Sequence, residues 1–350
     1  MATKDDVMLA LHQVIDPELH RDIVTLKMVK DVEVVDGVAK IKVELTTPAC
    51  PLKDHIRRDI EAKTMAVEGI TGVEVEMGAK VRGKSKEGRL PNVKNVIAVA
   101  SGKGGVGKST LAVNLALALA KTGAKVGLLD TDLYGPSIPI MLGIKGQMPD
   151  VDMIDGKEMM IPIEAQGLKI MSIGLMIKET DAIIWRGPLL HKALTQFVEE
   201  VHWGDLDYLV LDLPPGTGDI QISLADLLPV TSAVVVTTPQ DVAFADVLRA
   251  VKMFQVTKVP ILGVIENMSG FVCPTCKTHH AIFGAGNIEA KTRELGLAFL
   301  GSVPLDAAVA PEADAGRPIV VSNPDSAPAQ AITKLAGTIA GLQTVVHFQQ

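Results

Sequence analysis

The sequence predicts an α/β protein: a mostly parallel sheet covered by helices, preceded by a small α+β domain. Three observations carry this. From Asn95 onward, short apolar runs alternate with helix-periodic segments, the pattern of parallel strands joined by helical crossovers. The 350 residues are 47% hydrophobic and 21% charged, enough apolar surface for a large buried core. A glycine-rich turn within IAVASGKGGVGKSTL, Ile97 to Leu111, joins an apolar run to a helical one, where such sheets hold ligands.

The chain divides into a domain over 1–80, a basic linker over 81–94 and a domain over 95–350. In the first, Val7, Leu11 and Val14 give Asp5 to Val14 a helical stripe, and a turn follows at Ile15 to Glu18. Val29 to Val35 and Val38 to Leu45 alternate on either side of Asp36-Gly37, a hairpin signal. Pro51 opens a helix that runs from Leu52 to Val67, and Thr71 to Met77 alternates as a last strand. The linker carries Arg82, Lys84, Lys86, Arg89 and Lys94 against the single acid Glu87, the composition of a solvated tether.

In the second domain, strands are expected at Val96–Ala100, Val126–Leu129, Leu168–Ile173, Tyr208–Leu211, Ala233–Thr237, Ile261–Ile265 and Ala298–Val303. Helices are expected at Leu111–Lys121, Leu189–Val201, Val242–Phe254 and Ala327–Gln343.

The glycine-rich turn fits the G-x-x-x-x-G-K-[ST] phosphate loop, with Gly102, Gly107, Lys108 and Ser109 in the diagnostic places, and so predicts a P-loop NTPase. Gly102, Gly104, Gly105 and Gly107 permit the tight turn that aims backbone N–H groups at phosphate oxygens. Lys108 reaches the terminal phosphates, the Ser109 hydroxyl ligates magnesium, and the helix beyond turns its positive dipole end to the anion. The nucleotide-binding set is Gly102, Lys103, Gly104, Gly105, Val106, Gly107, Lys108, Ser109, Thr110 and Asn267. Two acid-bearing segments follow strands, DTDLYGPS at Asp130 to Ser137 and DLPPGTGD at Asp212 to Asp219. Asp212 ends its strand as the acid behind the magnesium, and Asp130 supports its loop from behind. Pro214, Pro215 and Gly216 form a stiff turn whose Gly216 N–H faces the terminal phosphate. No N-K-x-D guanine signature is present, which favours ATP over GTP.

There are three cysteines, Cys50, Cys273 and Cys276, too few for a disulfide framework. Cys50, just before a helix, is expected to carry a lowered thiol pKa, with an inert half-buried thiol as the alternative. Cys273 and Cys276 have C-x-x-C spacing, and three readings compete for them. Two chains pool their pairs on one cluster; His279 or His280 completes an intrachain zinc site; or the pair is a redox dithiol. Zinc is the weaker fit, because a three-ligand site is not closed, and the redox reading lacks the usual helix opening.

These motifs carry a family resemblance. GKGGVGKST resembles the deviant phosphate loop of the MinD/Mrp/nitrogenase-iron-protein class. Together with DTDLYGPS, the WRGP of Trp185 to Pro188, DLPPGTGD and ENMSGFVCPTC, residues from 95 onward resemble the Mrp/ApbC iron–sulfur carrier ATPases. VIDPE at Val14 to Glu18 and TTPACP at Thr46 to Pro51 make the first domain similar to SufT/PaaD-like domains, in which the cysteine matching Cys50 is often functional. The resemblance implies a homodimer that binds ATP with Mg2+, hydrolyses it slowly, and carries a transferable [4Fe-4S] cluster between Cys273 and Cys276 of two chains for recipient iron–sulfur proteins. It implies that Lys103 reaches the partner's nucleotide, that Asp132 orients the attacking water, and that Asn267 contacts adenine. Arg186 receives no role. A MinD/ParA-like positioning switch is the alternative.

The bulk properties narrow the partners. A net charge of −7 and 3% aromatic residues argue against nucleic acid. The tail Ala336 to Gln350 lacks lysine and arginine, and no apolar run reaches a membrane span of about 18 residues, so no membrane partner is expected. The opening MATKDDVMLA has no signal-peptide core, which with few cysteines points to the reducing cytoplasm.

Overall fold

A computed structural model describes residues 2–83, 89–132, 135–176 and 187–349. The contacts divide the chain into two units, Met1–Arg82 with Ala340–Gln350, and Gly83–Ile339.

The first unit opens with α1 (Lys4–Leu11), whose N-terminus is closed by a capping box between Thr3 and Asp6. Strands β1 (Val29–Val35) and β2 (Val38–Leu45) pair antiparallel with Val35 opposite Val38. Asp36 and Gly37, at φ 50° and 80°, make the two-residue turn. Helix α2 (Lys53–Met65) then returns the chain so that β3 (Gly72–Ala79) pairs parallel to β2. Val7, Leu11, Ile23, Val32, Ile41, Val43, Ile56 and Ile60 form the buried core. The expected α-β-β-α-β order is present; a short Ile15–Asp16/Arg21–Asp22 pair precedes β1.

The second unit holds β4 (Val93–Ser101), α3 (Lys108–Lys121), β5 (Val126–Asp130), β6 (Leu168–Ser172), α4 (Gly187–Glu199), β7 (Leu206–Asp212), β8 (Ser232–Thr237), α5 (Asp241–Val256), β9 (Ile261–Val272), β10 (Phe299–Leu305) and the start of α6 (Ala327–Gln349). The sheet runs β6-β5-β7-β4-β8-β9-β10, every neighbouring pair parallel. Antiparallel strands Ile163–Ala165 and His279–His280 add to β6 and β9. Strands β5 and β8 are buried at every residue, which is why they read as unbroken apolar runs. No helix among the described residues is long and apolar enough to cross a membrane.

Several elements lie outside the expected set: the hairpin Asp150–Ile154/Lys157–Ile161, the Ile163–Ala165 strand and the helix Asp219–Leu227. The first two turn at Asp155-Gly156 and Gln166-Gly167, each with φ positive at both residues, so the turn residues carry the signal. Strand β9 runs seven residues past its expected end at Ile265, and α6 six past Gln343. The last residues of α6, from Ala340, group with the first unit. Residues 84–88 of the linker, 133–134 of DTDLYGPS, and Trp185 and Arg186 of WRGP lie outside the described residues.

Candidate functional site: a phosphate loop, its carboxylates and a cysteine hairpin

The parallel register builds the site. Asp212, the last residue of β7, lies opposite Asp130 of β5, which lies opposite Ser172 of β6. Three polar side chains therefore form one row at the carboxyl ends of adjacent strands, beside the loop between β4 and α3. Ser172 Oγ donates to Asp130 Oδ2 at 2.9 Å, and the Asp132 N–H donates to Asp130 Oδ1 at 3.0 Å. The Thr131 hydroxyl and N–H both donate to the Asp212 carbonyl, at 2.8 and 3.1 Å. Burial, with the Asp212 charge adding to it, pushes Asp130 up to about 7. Burial also raises Asp212, against the pull of Lys108.

Lys108 is the first residue of α3, and the fold buries it, 6% exposed. Its Nζ donates to Asp212 Oδ1 at 2.6 Å and Ser109 Oγ at 3.1 Å, and stands 3.9 Å from Asp132 Oδ2. One ammonium thus faces a group of three aspartates, and Asp212 Oδ2 is buried without a hydrogen-bond partner. Local excess of negative charge and an orphaned carboxylate oxygen near the Ser109 hydroxyl suit a hard divalent cation. Magnesium therefore fits these residues.

The loop itself is held from two sides. A side chain at Gly102 would run into Asp246 of α5, with Asp246 Cβ and its carbonyl oxygen both 2.4 Å from the added atom. At Gly107 the backbone is left-handed, φ 79°, and a Cβ would lie 2.3 Å from Asn267 Nδ2. Asn267 projects from β9 and donates that amide to the Val106 carbonyl at 2.8 Å. The residue expected at the base thus braces the loop backbone. Gly104 and Gly105 are exposed and Ser109 and Thr110 half-buried at the open side. Lys103 is half-buried and its ammonium makes no hydrogen bond or ion pair among the described residues.

In the turn after β7, the Gly216 N–H donates to the Ser101 carbonyl at 3.0 Å, so facing a phosphate requires exchange of that bond. Gln221 Nε2, buried, donates to the Pro215 carbonyl at 2.8 Å and the Pro214 carbonyl at 3.4 Å, setting the turn. Sequence reasoning misses Gln221, Thr131 and Ser172, because polar residues of these types give no periodic or motif signal.

Strand β9 continues past Asn267 to Val272, then turns through Cys273 to Thr278 into His279–His280. Cys273 is half-buried and Cys276 exposed. Hydrogen bonding with the Thr278 hydroxyl, then with the Thr278 backbone and the Cys273 side chain, lowers Cys276 to about 7. The His279 ring lies against Gly270, where an added Cβ would be 2.4 Å from Nε2. Among the described residues no three His, Cys, Asp or Glu side chains are grouped for a metal, so the intrachain zinc reading finds no third ligand. The pair sits on a strand turn, unlike the helix opening of a redox C-x-x-C.

Cys50 corrects the sequence expectation. It lies three residues before α2 and packs against the first unit's core, and burial pushes its thiol up to about 11, with Glu18 and Asp16 adding to the rise. Desolvation here outweighs the helix N-terminus.

A glycine loop between a buried parallel strand and a helix, with strand-end aspartates around its lysine, defines a P-loop NTPase. The chain belongs to the family described as NUBPL iron-transfer P-loop NTPase, whose model matches residues 92–340; residues 4–77 match the family described as iron-sulfur cluster assembly protein. It is 50% identical over 339 residues to the iron-sulfur cluster carrier protein of Deinococcus radiodurans, spanning 96% of this chain and 95% of that one. Against the Escherichia coli iron-sulfur cluster carrier protein it is 43% identical over 328 residues, 93% of this chain and 88% of the relative. Among solved structures, the Archaeoglobus fulgidus nucleotide-binding protein in complex with ADP is similar at a TM-score of 0.58 and 37% identity, over 68% of this chain and 92% of that one. The Pyrococcus furiosus cell division ATPase MinD shares the fold, at a TM-score of 0.52 and 23% identity, over 70% of this chain and 98% of that one.

Proposed function

We propose that this chain is a homodimeric, cytoplasmic iron–sulfur carrier that binds and hydrolyses ATP and passes a [4Fe-4S] cluster, held by Cys273 and Cys276 of both protomers, to recipient proteins. The observation that carries it is the single strand β9, which braces the phosphate loop at Asn267 and ends in the cysteine hairpin six residues on. Between the two, Met268 is left-handed at φ 56° and the pairing with β10 shifts register between Asn267 and Phe271, so a shift at Val106 reaches Cys273 through that bend. The cluster-carrier names of the relatives support the cargo. Two cysteines in one chain are half of a cubane's four thiolates, which asks for a partner.

In this mechanism Lys108 leaves Asp212 for the terminal phosphates, while the loop N–H groups of Gly104 to Ser109 surround them. Ser109 and Asp212 would hold magnesium, which when bound would supply positive charge to neutralise the terminal phosphates. Asp132, steadied through its N–H by Asp130, positions the attacking water. Lys103, with its ammonium uncommitted among the described residues, neutralises developing charge in the partner's site. The loops following Asp130 and Asp212 link nucleotide state to the separation of the two cysteine hairpins: closure holds the cluster and opening releases it.

Anaerobic iron and sulfide analysis tests this, alongside a Cys273→Ala, Cys276→Ala double variant. Four irons and four sulfides per two chains are expected in the wild type, with loss in the variant. Full Fe–S absorbance and transfer in the variant, or a chain that stays single with iron, sulfide and nucleotide supplied, overturns the proposal.

A further inference from the structure

We propose that Thr278 is a positioning residue that makes Cys276, rather than Cys273, the thiolate that releases an iron–sulfur cargo to an incoming thiol; this rests on the carrier reading above. The turn treats its two cysteines differently. Cys273 is half-buried and tied by its backbone: its N–H donates to the Thr278 carbonyl at 3.0 Å, and its carbonyl accepts the Lys277 N–H at 2.9 Å. Cys276 is exposed, and its Sγ is hydrogen-bonded to Thr278 Oγ1 at 3.3 Å. Lys277, left-handed at φ 60°, turns the chain back at this point. One threonine therefore fixes Cys273 through its carbonyl and touches Cys276 through its hydroxyl.

In the thiol form Cys276 donates to that hydroxyl. In the thiolate form the hydroxyl rotates and donates to sulfur. A hydrogen bond onto a metal-bound thiolate withdraws charge from the iron–sulfur bond, which loosens it and raises the cluster's potential. Exposure of Cys276 gives an acceptor's thiol access to the same iron. In the exchange, the acceptor's sulfur forms a bond to iron while the bond from iron to Cys276 Sγ breaks. The bonding electron pair leaves with Cys276, and the proton lost by the incoming thiol ends on Cys276 sulfur. No electron is gained or lost overall. Cys273 stays ligated until this step is complete.

The test compares full-length wild type with Thr278→Val, Thr278→Ala and Thr278→Ser, each loaded anaerobically with iron and sulfide and then given excess dithiothreitol as the entering thiol. Val and Ala variants with wild-type iron and sulfide should release on the order of tenfold more slowly and show a more negative cluster potential, and Ser should restore both. Unchanged release and potential in Val and Ala at wild-type iron and sulfide content overturn the role of Thr278 alone. A wild type that takes up no iron and sulfide overturns the carrier reading itself.

Discussion

Lys108 Nζ lies 2.6 Å from Asp212 Oδ1 and 3.9 Å from Asp132 Oδ2, so one buried ammonium serves acids at the carboxyl ends of two neighbouring strands. Removing it strands the Asp212 charge in the interior. Lys108→Met should lose about 3 kcal/mol of stability. The double variant Lys108→Met, Asp212→Asn should recover part of that loss while still failing to bind nucleotide. Denaturant melts and nucleotide titrations check both; additive losses would show that the two side chains are not coupled.

Asp130 gives the site a pH signature. Its carboxyl is at about 7 in the folded chain against an ordinary 3.8. Between those values the unfolded chain has released the proton that the folded chain retains. Stability attributable to Asp130 is therefore full below the lower value and falls as pH rises through the window. Asp130→Asn should flatten that slope and melt at a higher temperature than wild type at alkaline pH, where it also removes the charge beside Asp212. Melting curves across the window read this directly.

Gly107→Ala places a Cβ at φ 79° and 2.3 Å from the Asn267 amide. The left-handed backbone alone costs about 1–2 kcal/mol, and relief of the clash moves either the loop or Asn267. Loss of nucleotide binding should exceed loss of stability, measured by titration and thermal melt on the same sample.

Asn267→Ala separates two roles. As the brace on the Val106 carbonyl, its loss costs about 1 kcal/mol and weakens ATP and GTP binding alike. Selective loss of ATP affinity, with GTP affinity unchanged, would assign Asn267 the base contact that the family resemblance implies.

Cys50 should resist iodoacetamide at neutral pH while Cys276 is labelled, because one thiol is held at about 11 and the other at about 7. Peptide mapping of the labelled full-length chain checks this. Preferential labelling of Cys50 would restore the reactive thiol expected from its place before a helix.

Much of the architecture is legible because the strands are buried on both faces. Val126 to Leu129 and Ala233 to Thr237 read as continuous apolar runs, and Asp36-Gly37 sits between alternating runs. Asp155-Gly156 carries the same turn chemistry, but only one flank alternates: Asp150 to Met153 does, with its apolar residues exposed, whereas Lys157–Ile161 beyond the turn does not. Ser172, Thr131 and Gln221 are illegible for a different reason: each earns its place through a partner dozens of residues away or through local turn geometry, which composition does not encode.

The sequence by itself determined the phosphate loop, the aspartates that follow two strands, and the cysteine spacing, because each is local chemistry at fixed separations along the chain. Only the tertiary structure decided that Lys108 pairs with Asp212, that Asn267 props the loop, and that Cys50 is held as a thiol. Those outcomes depend on register between strands far apart in sequence and on burial, which sets the cost of charge and is a property of the packed molecule.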